Sequence, residues 1–260
     1  MIANSGHDEN GKYRGGKAGD QTGKEFEIRT WYKRPWNCVL RYPDPRVGIE
    51  LADLARSAAL NDRIGYDQNQ RWTFLSVLRL ANWIPGKIQM DCEADCSSGV
   101  ITLTMAAGYR LQIDALKTIN NTAVNTYTMR AGYRKAGFEV LTDSKYLTSD
   151  KYLLPGDILL NDNAHTAMNL DKGSAVTEAE KKKIFNSIPR WVGEVTASTL
   201  NVRSWAGTRY ANIKTWPFLS KGNWIDVCDQ IHGEDGYIWY YIRIYGKYYG
   251  FVRSDYIKPV

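Results

Sequence analysis

One stretch constrains the fold more than any other, and it reads Asp95-Cys96-Ser97-Ser98-Gly99-Val100-Ile101-Thr102-Leu103-Thr104-Met105-Ala106-Ala107. Asp95 is a residue type that caps helix N-termini, and the Gly108 that follows is suited to a helix C-cap. The segment between them is largely apolar. The sequence therefore predicts a buried helix over residues 97–107 that begins just after Asp95 and ends at Gly108.

Further helix and strand signals flank this helix. Apolar residues recur at spacings of three and four over residues 47–60, which predicts an amphipathic helix. Short helices are predicted over 75–82 and 127–136, and strands over 157–160 and 165–170. Helices first and strands after them indicate an α+β fold.

The last quarter of the chain differs in composition, because tryptophan and tyrosine concentrate there. Short alternating runs separated by turn residues predict a small all-β barrel, and they lie at 199–203, 224–227, 238–242 and 249–252. The charged residues 177–183 precede it and favour a solvated helix or linker. The sequence thus predicts a first domain over 1–175, a charged helix or linker over 176–192, and a barrel over 193–260.

Composition and charge exclude several classes of protein. With 43% hydrophobic and 24% charged residues, the chain of 260 residues is of the folded globular type. The net charge of +6 is spread along the chain, so nucleic-acid binding is not expected. No apolar run could span a bilayer, and residues 1–7 lack the charged and apolar pattern of an export signal, so we expect no stable membrane insertion and synthesis in the cytoplasm. Four scattered cysteines and three isolated histidines predict no metal and no cofactor.

The same short inventory of cysteines and histidines singles out Cys96 and His165 as a candidate nucleophile and base. Cys96 lies at the predicted start of a helix, where free N–H groups and the helix dipole favour a thiolate with a lowered pKa. His165 opens a predicted strand directly after a polar loop, a fixed place that suits a general base. The alternative is that Cys96 is a buried inert thiol and His165 a surface residue.

Four motifs resemble, in order, those of NlpC-type peptidoglycan cysteine peptidases. They are Ile64-Gly65-Tyr66, Asp95-Cys96-Ser97-Ser98, Leu154-Pro155-Gly156-Asp157-Ile158 and His165-Thr166-Ala167-Met168. The resemblance covers roughly residues 45–172 and implies a papain-like α+β catalytic domain with Cys96 as nucleophile and His165 as base. It also implies that residues 155–157 turn the chain into the strand before the histidine. Two stretches near the start, Gly6-His7-Asp8-Glu9-Asn10-Gly11 and Gly19-Asp20-Gln21-Thr22-Gly23-Lys24-Glu25, are similar to the start of phage lysins of this group.

The family orients its histidine with a third polar residue, for which the sequence offers several candidates. Asn169 shares the strand face of His165 by period-two alternation. His7, Asp20 and Gln21 could reach the cleft if the N-terminal segment folds across it. Tyr66 is a candidate for a role near the oxyanion, although it lies further from Cys96 in the sequence than the family's usual spacing.

The C-terminal segment resembles bacterial SH3-like wall-binding domains over residues 195–260. The matching runs are Leu200-Asn201-Val202-Arg203-Ser204, Gly236-Tyr237-Ile238-Trp239-Tyr240 and Tyr249-Gly250-Phe251-Val252 with Tyr256-Ile257. The resemblance implies binding to the bacterial wall. Aromatic side chains near the predicted turns are the candidate substrate-binding residues, namely Trp205, Tyr210, Trp216 and Tyr237. Trp239 and Tyr241 are expected to fill the barrel core.

Together these features predict an endolysin-like peptidoglycan hydrolase that cleaves an amide bond of the wall peptide, with endopeptidase activity favoured. The alternatives are an N-acetylmuramoyl-L-alanine amidase with the same residues, or a non-catalytic wall-binding or phage tail protein. The expected partner is peptidoglycan of a Gram-positive host. The expected place of action is the cell wall, reached through a holin.

Overall fold

The structure is a computed structural model, and it describes residues 1–176, 185, 188–233 and 235–260. Contacts divide the chain into two compact units, residues 1–43 with 47–176 and residues 44–46 with 177–260. The charged stretch 177–183, and with it most of the predicted linker, lies outside the described residues. No helix among the described residues is both long and apolar enough to cross a membrane.

The first unit contains eight strands. They are β1 (Ile2–Ser5), β2 (Phe26–Arg29), β3 (Cys38–Arg41), β4 (Ile64–Tyr66), β5 (Cys92–Ala94), β6 (Glu139–Leu141), β7 (Ile158–Asn161) and β8 (His165–Asn169). Six of them form an antiparallel sheet in the order β2-β1-β8-β7-β3-β6, and β4 pairs with β5 in parallel.

The expected order of helices before strands is wrong, because β1 to β3 precede the first helix. The strand signal at this end is weak for a physical reason. All four residues of β1 and three of the four in β3 are buried, so these short strands have no alternation of apolar and polar residues to mark them.

Six α-helices accompany this sheet in the first unit. They are α1 (Pro45–Ala59), α2 (Thr73–Leu80), α3 (Cys96–Leu111), α4 (Asp114–Lys117), α5 (Thr126–Lys135) and α6 (Ser144–Leu147). The helices predicted over 47–60, 75–82, 97–107 and 127–136 are confirmed by α1, α2, α3 and α5. The strands predicted over 157–160 and 165–170 are confirmed by β7 and β8.

Helix α3 is the centre of the first unit, since every residue from Ser97 to Gly108 is buried. The expectation that Gly108 ends the helix is wrong. The helix continues to Leu111 and ends on Gln112, which adopts a left-handed conformation with φ of 58°. A Cβ on Gly108 would lie 2.6 Å from the backbone nitrogen of Lys117. The glycine therefore allows the close approach of α4 instead of ending α3.

The second unit is built from short antiparallel strands. They are β9 (Trp191–Val195), β10 (Thr199–Asn201), β11 (Phe218–Ser220), β12 (Trp224–His232), β13 (Ile238–Ile244), β14 (Tyr248–Arg253) and β15 (Ile257–Pro259). Five form a sheet in the order β14-β13-β12-β9-β15, and β10 pairs with β11. Aliphatic side chains from several strands form the core, among them Val195, Leu219, Val227, Ile242 and Val252.

Candidate active site

Cys96 is the first residue of α3, and the residue before it fixes the helix start. The Asp95 carboxylate accepts hydrogen bonds from the Ser98 N–H at 2.7 Å and from the Ser97 hydroxyl at 2.8 Å. The Ser98 hydroxyl in turn accepts from the Asp95 N–H at 2.8 Å, which completes a capping box. Cys96 is partly exposed, whereas Cys38, Cys92 and Cys228 are buried. Cys96 is therefore the most exposed of the four cysteine residues.

His165 is the first residue of β8, and the structure brings it to the start of α3. Helix α3 packs against β8, and the backbone N–H of Thr166 donates to the Cys96 sulfur. The residue next to the histidine thus touches the thiol. His165 itself is buried, and its ring stacks on that of Trp36 with centroids 6.1 Å apart.

Asn4 holds the histidine ring from the neighbouring strand β1. His165 Nε2 lies 2.7 Å from Asn4 Oδ1, and the Tyr32 hydroxyl donates to the same oxygen at 3.2 Å. Because an amide oxygen only accepts hydrogen bonds, this arrangement places the ring hydrogen on Nε2 and leaves Nδ1 as the basic nitrogen. Asn4 is thus the polar partner of the histidine, and it is absent from the candidates chosen by sequence.

The electrostatics of the two groups favour a neutral pair. Burial, followed by the Asp95 carboxylate, raises the pKa of the Cys96 thiol to about 11, although the N–H groups of Thr166 and Ser97 oppose this. Burial, followed by the positive charges of Arg34 and Arg29, lowers the pKa of His165 to about 4. The expectation of a lowered thiol pKa at the helix start is therefore wrong, because burial and Asp95 outweigh the helix N-terminus.

The structure does not bring Asn169 to His165. It lies at the far end of β8, where its side-chain amide donates to the backbone oxygens of Leu154 at 2.8 Å and Asp171 at 2.6 Å. Asn169 therefore joins the backbone that precedes β7 to the backbone that follows β8. Period-two alternation does place Asn169 on the same strand face as His165. The two residues are nevertheless four positions apart along β8, which separates their side chains by roughly 13 Å.

The other N-terminal candidates are engaged in their own loop. Asp20 is buried and accepts hydrogen bonds from backbone N–H groups of residues 22–26. His7 Nδ1 lies 2.8 Å from the Asp8 carbonyl, and Gln21 donates to the carbonyl of Ala18 at 3.0 Å. Their described contacts organise the loop between β1 and β2, and none of these contacts is to His165.

Tyr66 lies close to the thiol despite the long separation in sequence. Strand β4 pairs with β5, which places Tyr66 opposite Ala94, two residues before Cys96. Its hydroxyl oxygen accepts a hydrogen bond from Gln68 Nε2 at 3.3 Å. Burial, followed by the charge of Cys96 in its thiolate form, raises the pKa of the Tyr66 hydroxyl. The pairing of β4 with β5 thus brings Tyr66 near Cys96 in space, although the two residues are far apart in sequence.

The turn before β7 is fixed by close backbone packing. Gly156 has φ of +76°, and a Cβ there would lie 2.2 Å from the Gly48 backbone oxygen, so other residues are excluded. The buried Asp157 pairs with Arg41 at 2.5 Å and accepts from the Leu154 N–H at 2.7 Å. These contacts set where β7, and hence the β7–β8 hairpin with His165, begins.

The four aromatic candidates of the second unit have different environments. Trp205 is buried against Phe185 and Phe251. It therefore packs in the core of the unit and is not exposed for the ligand contact that the sequence predicts. Tyr237 is exposed, and Tyr210 and Trp216 are half-buried. A cavity of about 300 Å³ on this unit is lined by Ala197, Thr199, Leu200, Asn201, Arg203, Thr208, Trp239, Arg253 and Tyr256.

Among the residues that the structure describes, no group of three or more histidine, cysteine, aspartate or glutamate side chains is placed to hold a metal ion. A family model described as an endolysin-like domain matches residues 2–176. The match includes Asn4, Cys96 and His165. Comparison with curated proteins and with solved structures gave no significant match.

Proposed function

The chain belongs to the endolysin-like domain family, and from this premise we propose that it hydrolyses an amide bond of the wall peptide through Cys96 and His165. Family membership indicates a hydrolase that acts on peptidoglycan. One observation supports the finer proposal: His165, held by Asn4 at 2.7 Å, opens β8 beside the thiol at the start of α3. A nucleophile, a base and an orienting group in this arrangement are what acyl transfer requires.

Attack begins from the neutral pair. As the Cys96 sulfur forms a bond to the carbonyl carbon, its proton passes to Nδ1 of His165. The resulting imidazolium keeps its Nε2 hydrogen bond to Asn4. When the carbon–nitrogen bond breaks, the proton moves from Nδ1 to the leaving amine, and a thioester to Cys96 remains. Because the resting thiol is protonated, base and nucleophile act in one step.

The helix start supplies donors for the oxyanion. Within the described chain, the N–H groups of Ser98 and Gly99 are engaged by Asp95, so that of Cys96 is left to bind the developing charge. The N–H of Ser97, which contacts the Cys96 sulfur in the resting site, is the second donor once the sulfur has bonded to carbon. The Tyr66 hydroxyl is a third donor in this proposal, because Gln68 occupies its oxygen and leaves its hydrogen available.

Water completes the cycle. His165, neutral again after the amine has left, removes a proton from a water molecule, and the hydroxide attacks the thioester carbon. The carbon–sulfur bond then breaks, the thiolate recovers the proton from His165, and a carboxylic acid product leaves. The reaction consumes one water and requires no metal or redox partner.

We further propose that the first unit has a papain-like fold and that the second is an SH3-like wall-binding barrel. A strand-rich unit with exposed aromatic side chains such as Tyr237 suits contact with wall peptides or sugars. Holding the enzyme on an insoluble polymer would raise the local concentration of scissile bonds. Export through a holin from a Gram-positive host belongs to the same proposal.

The bond is identified by mass spectrometry of the soluble fragments that the protein releases from purified Gram-positive walls. New amino termini within the stem peptide or cross-bridge would establish an endopeptidase, which we favour. Release of L-alanine termini together with intact muramic acid would establish the amidase instead. Wall binding without release of any fragment by the parent protein would contradict both activities and favour a non-catalytic wall-binding or tail protein.

A further inference from the structure

The segment between β2 and β3, residues 30–37, packs against the histidine and its partner. Trp36 stacks on the His165 ring, and Tyr32 donates to Asn4 Oδ1 at 3.2 Å. The Pro35 carbonyl accepts a hydrogen bond from Asn161 Nδ2 at 3.0 Å. The backbone is therefore fixed on both sides of Arg34, beside the proposed base.

Arg34 is the unusual cation of this neighbourhood. Its side chain is half-buried, and no ion pair or side-chain hydrogen bond joins it to any residue that the structure describes. Other arginines near the site have carboxylate partners: Arg29 pairs with Glu27 at 3.0 Å and Arg71 with Asp95 at 2.5 Å. Arg34 thus presents an uncompensated guanidinium close enough to His165 to lower its pKa.

An anion bound at Arg34 would relieve two unfavourable effects at once. A guanidinium without an anionic partner is stabilised by a carboxylate, whose two oxygens match its parallel N–H groups. Neutralising that charge would also make His165 a stronger base. Stem peptides of peptidoglycan carry free carboxylates next to their amide bonds, so the substrate itself can supply such an anion.

We propose that Arg34 binds a free carboxylate of the wall peptide beside the scissile amide bond, and that it thereby selects walls whose peptide carboxylates are not amidated. This proposal rests on the proposed function and names the substrate feature that the site reads. It assigns Arg34 to substrate binding, with no proton transfer of its own.

The test compares one wall preparation in two forms, untreated or with its carboxylates converted to amides by carbodiimide and ammonium chloride. New amino groups are measured at limiting substrate. We expect the parent protein to act about 10- to 100-fold faster on the untreated wall, the range for a charge-assisted hydrogen bond. Arg34→Gln should act slowly on both walls with a ratio near one, and Arg34→Lys should recover part of the ratio.

Arg29→Gln is the matched control, because it removes one positive charge from the same neighbourhood but one that Glu27 already pairs. It should keep the parent ratio. A parent ratio near one, or an Arg34→Gln protein that keeps the parent ratio, would overturn the proposal.

A failure of the proposed hydrolysis would be recognised separately, because the parent protein would then release no amino groups from either wall. Binding of full-length Cys96→Ala protein to the two walls, with and without Arg34→Gln, then decides the question. If the Arg34→Gln substitution abolishes the preference in binding for the untreated wall, the carboxylate contact is supported. If the preference is unchanged, the contact is contradicted.

Discussion

The two ends of strand β8 carry buried polar contacts of similar length that serve different purposes. At the first end, Asn4 accepts from the His165 ring at 2.7 Å and leaves Nδ1 free to take a proton. At the other end, Asn169 donates to two backbone oxygens at 2.8 and 2.6 Å. One asparagine holds the ring of the proposed base, and the other joins the backbone that precedes β7 to the backbone that follows β8.

A buried asparagine near a candidate base is therefore informative only through its partner. At the first end of β8, Asn4 and Trp36 contact the ring of His165, and the N–H of Thr166 contacts the thiol of Cys96. Both the imidazole and the thiol are titratable groups. The contacts of Asn169 involve only the main chain around β7 and β8. Mutations at the two ends should therefore separate activity from stability.

The largest effect is expected at the nucleophile. Cys96→Ala should reduce the release of amino groups from walls by at least about 1,000-fold, since without a nucleophile only binding and the oxyanion donors remain. Wall binding should be unchanged. Cys92→Ala removes a buried thiol four residues earlier and should leave the rate per folded molecule within about twofold. Lysis by Cys96→Ala at the parent rate would contradict the assignment.

The next largest effect is expected at Asn4. Asn4→Ala should lower kcat about 100-fold with little change in KM, because the ring loses the acceptor that fixes its tautomer. Asn4→Asp keeps an acceptor and adds a negative charge. It should recover much of kcat and raise the pKa of His165, so that the acid limb of the rate profile moves to higher pH. A purely structural Asn4 would show no such shift.

A smaller effect is expected at Tyr66. Tyr66→Phe removes one proposed oxyanion donor while the backbone N–H groups of Cys96 and Ser97 remain, so kcat should fall about 10-fold. Tyr13→Phe is the matched control, because the Tyr13 ring packs near Tyr66 at 6.4 Å but is itself exposed. Equal rates for Tyr66→Phe and the parent protein would remove Tyr66 from the mechanism.

A change of pH from 8 to 5 is expected to alter the rate of wall hydrolysis less than any of these substitutions. Lowering the pH protonates His165, whose neutral form is the base, so activity is lost only as the pH falls through its pKa of about 4. Because kcat/KM reports the free protein, it should change less than about twofold down to pH 5, where a histidine with an ordinary pKa would lower it about 30-fold. A midpoint near pH 6.5 would contradict a buried neutral imidazole.

The smallest effect on catalysis is expected at Asn169. Asn169→Ala should leave kcat of the folded protein unchanged and lower the free energy of unfolding of the first unit by about 1–3 kcal/mol, because the carbonyls of Leu154 and Asp171 each lose a donor. Urea denaturation followed alongside wall hydrolysis measures both. A large loss of kcat without a loss of stability would place Asn169 in the active site after all.

Local sequence sufficed to predict that Cys96 begins a helix and that His165 begins a strand, because a helix cap and the start of a strand are encoded by adjacent residues. It could not find Asn4. The contact joins residues 161 positions apart, and β1 is too short and too fully buried to show a strand pattern. The same limit applies to the pKa of the Cys96 thiol, because it depends on burial that only tertiary packing creates. It applies also to the burial of Trp205, which depends on the rings of Phe185 and Phe251.

The protonation state of His165 in the resting protein tests the account most directly, and nitrogen-15 NMR of the imidazole measures it. His165→Gln identifies its signals among those of the three histidines. At pH 7 we predict a neutral ring with its hydrogen on Nε2, as the bond to Asn4 requires. A ring with its hydrogen on Nδ1, or an imidazolium paired with a Cys96 thiolate, would contradict the account.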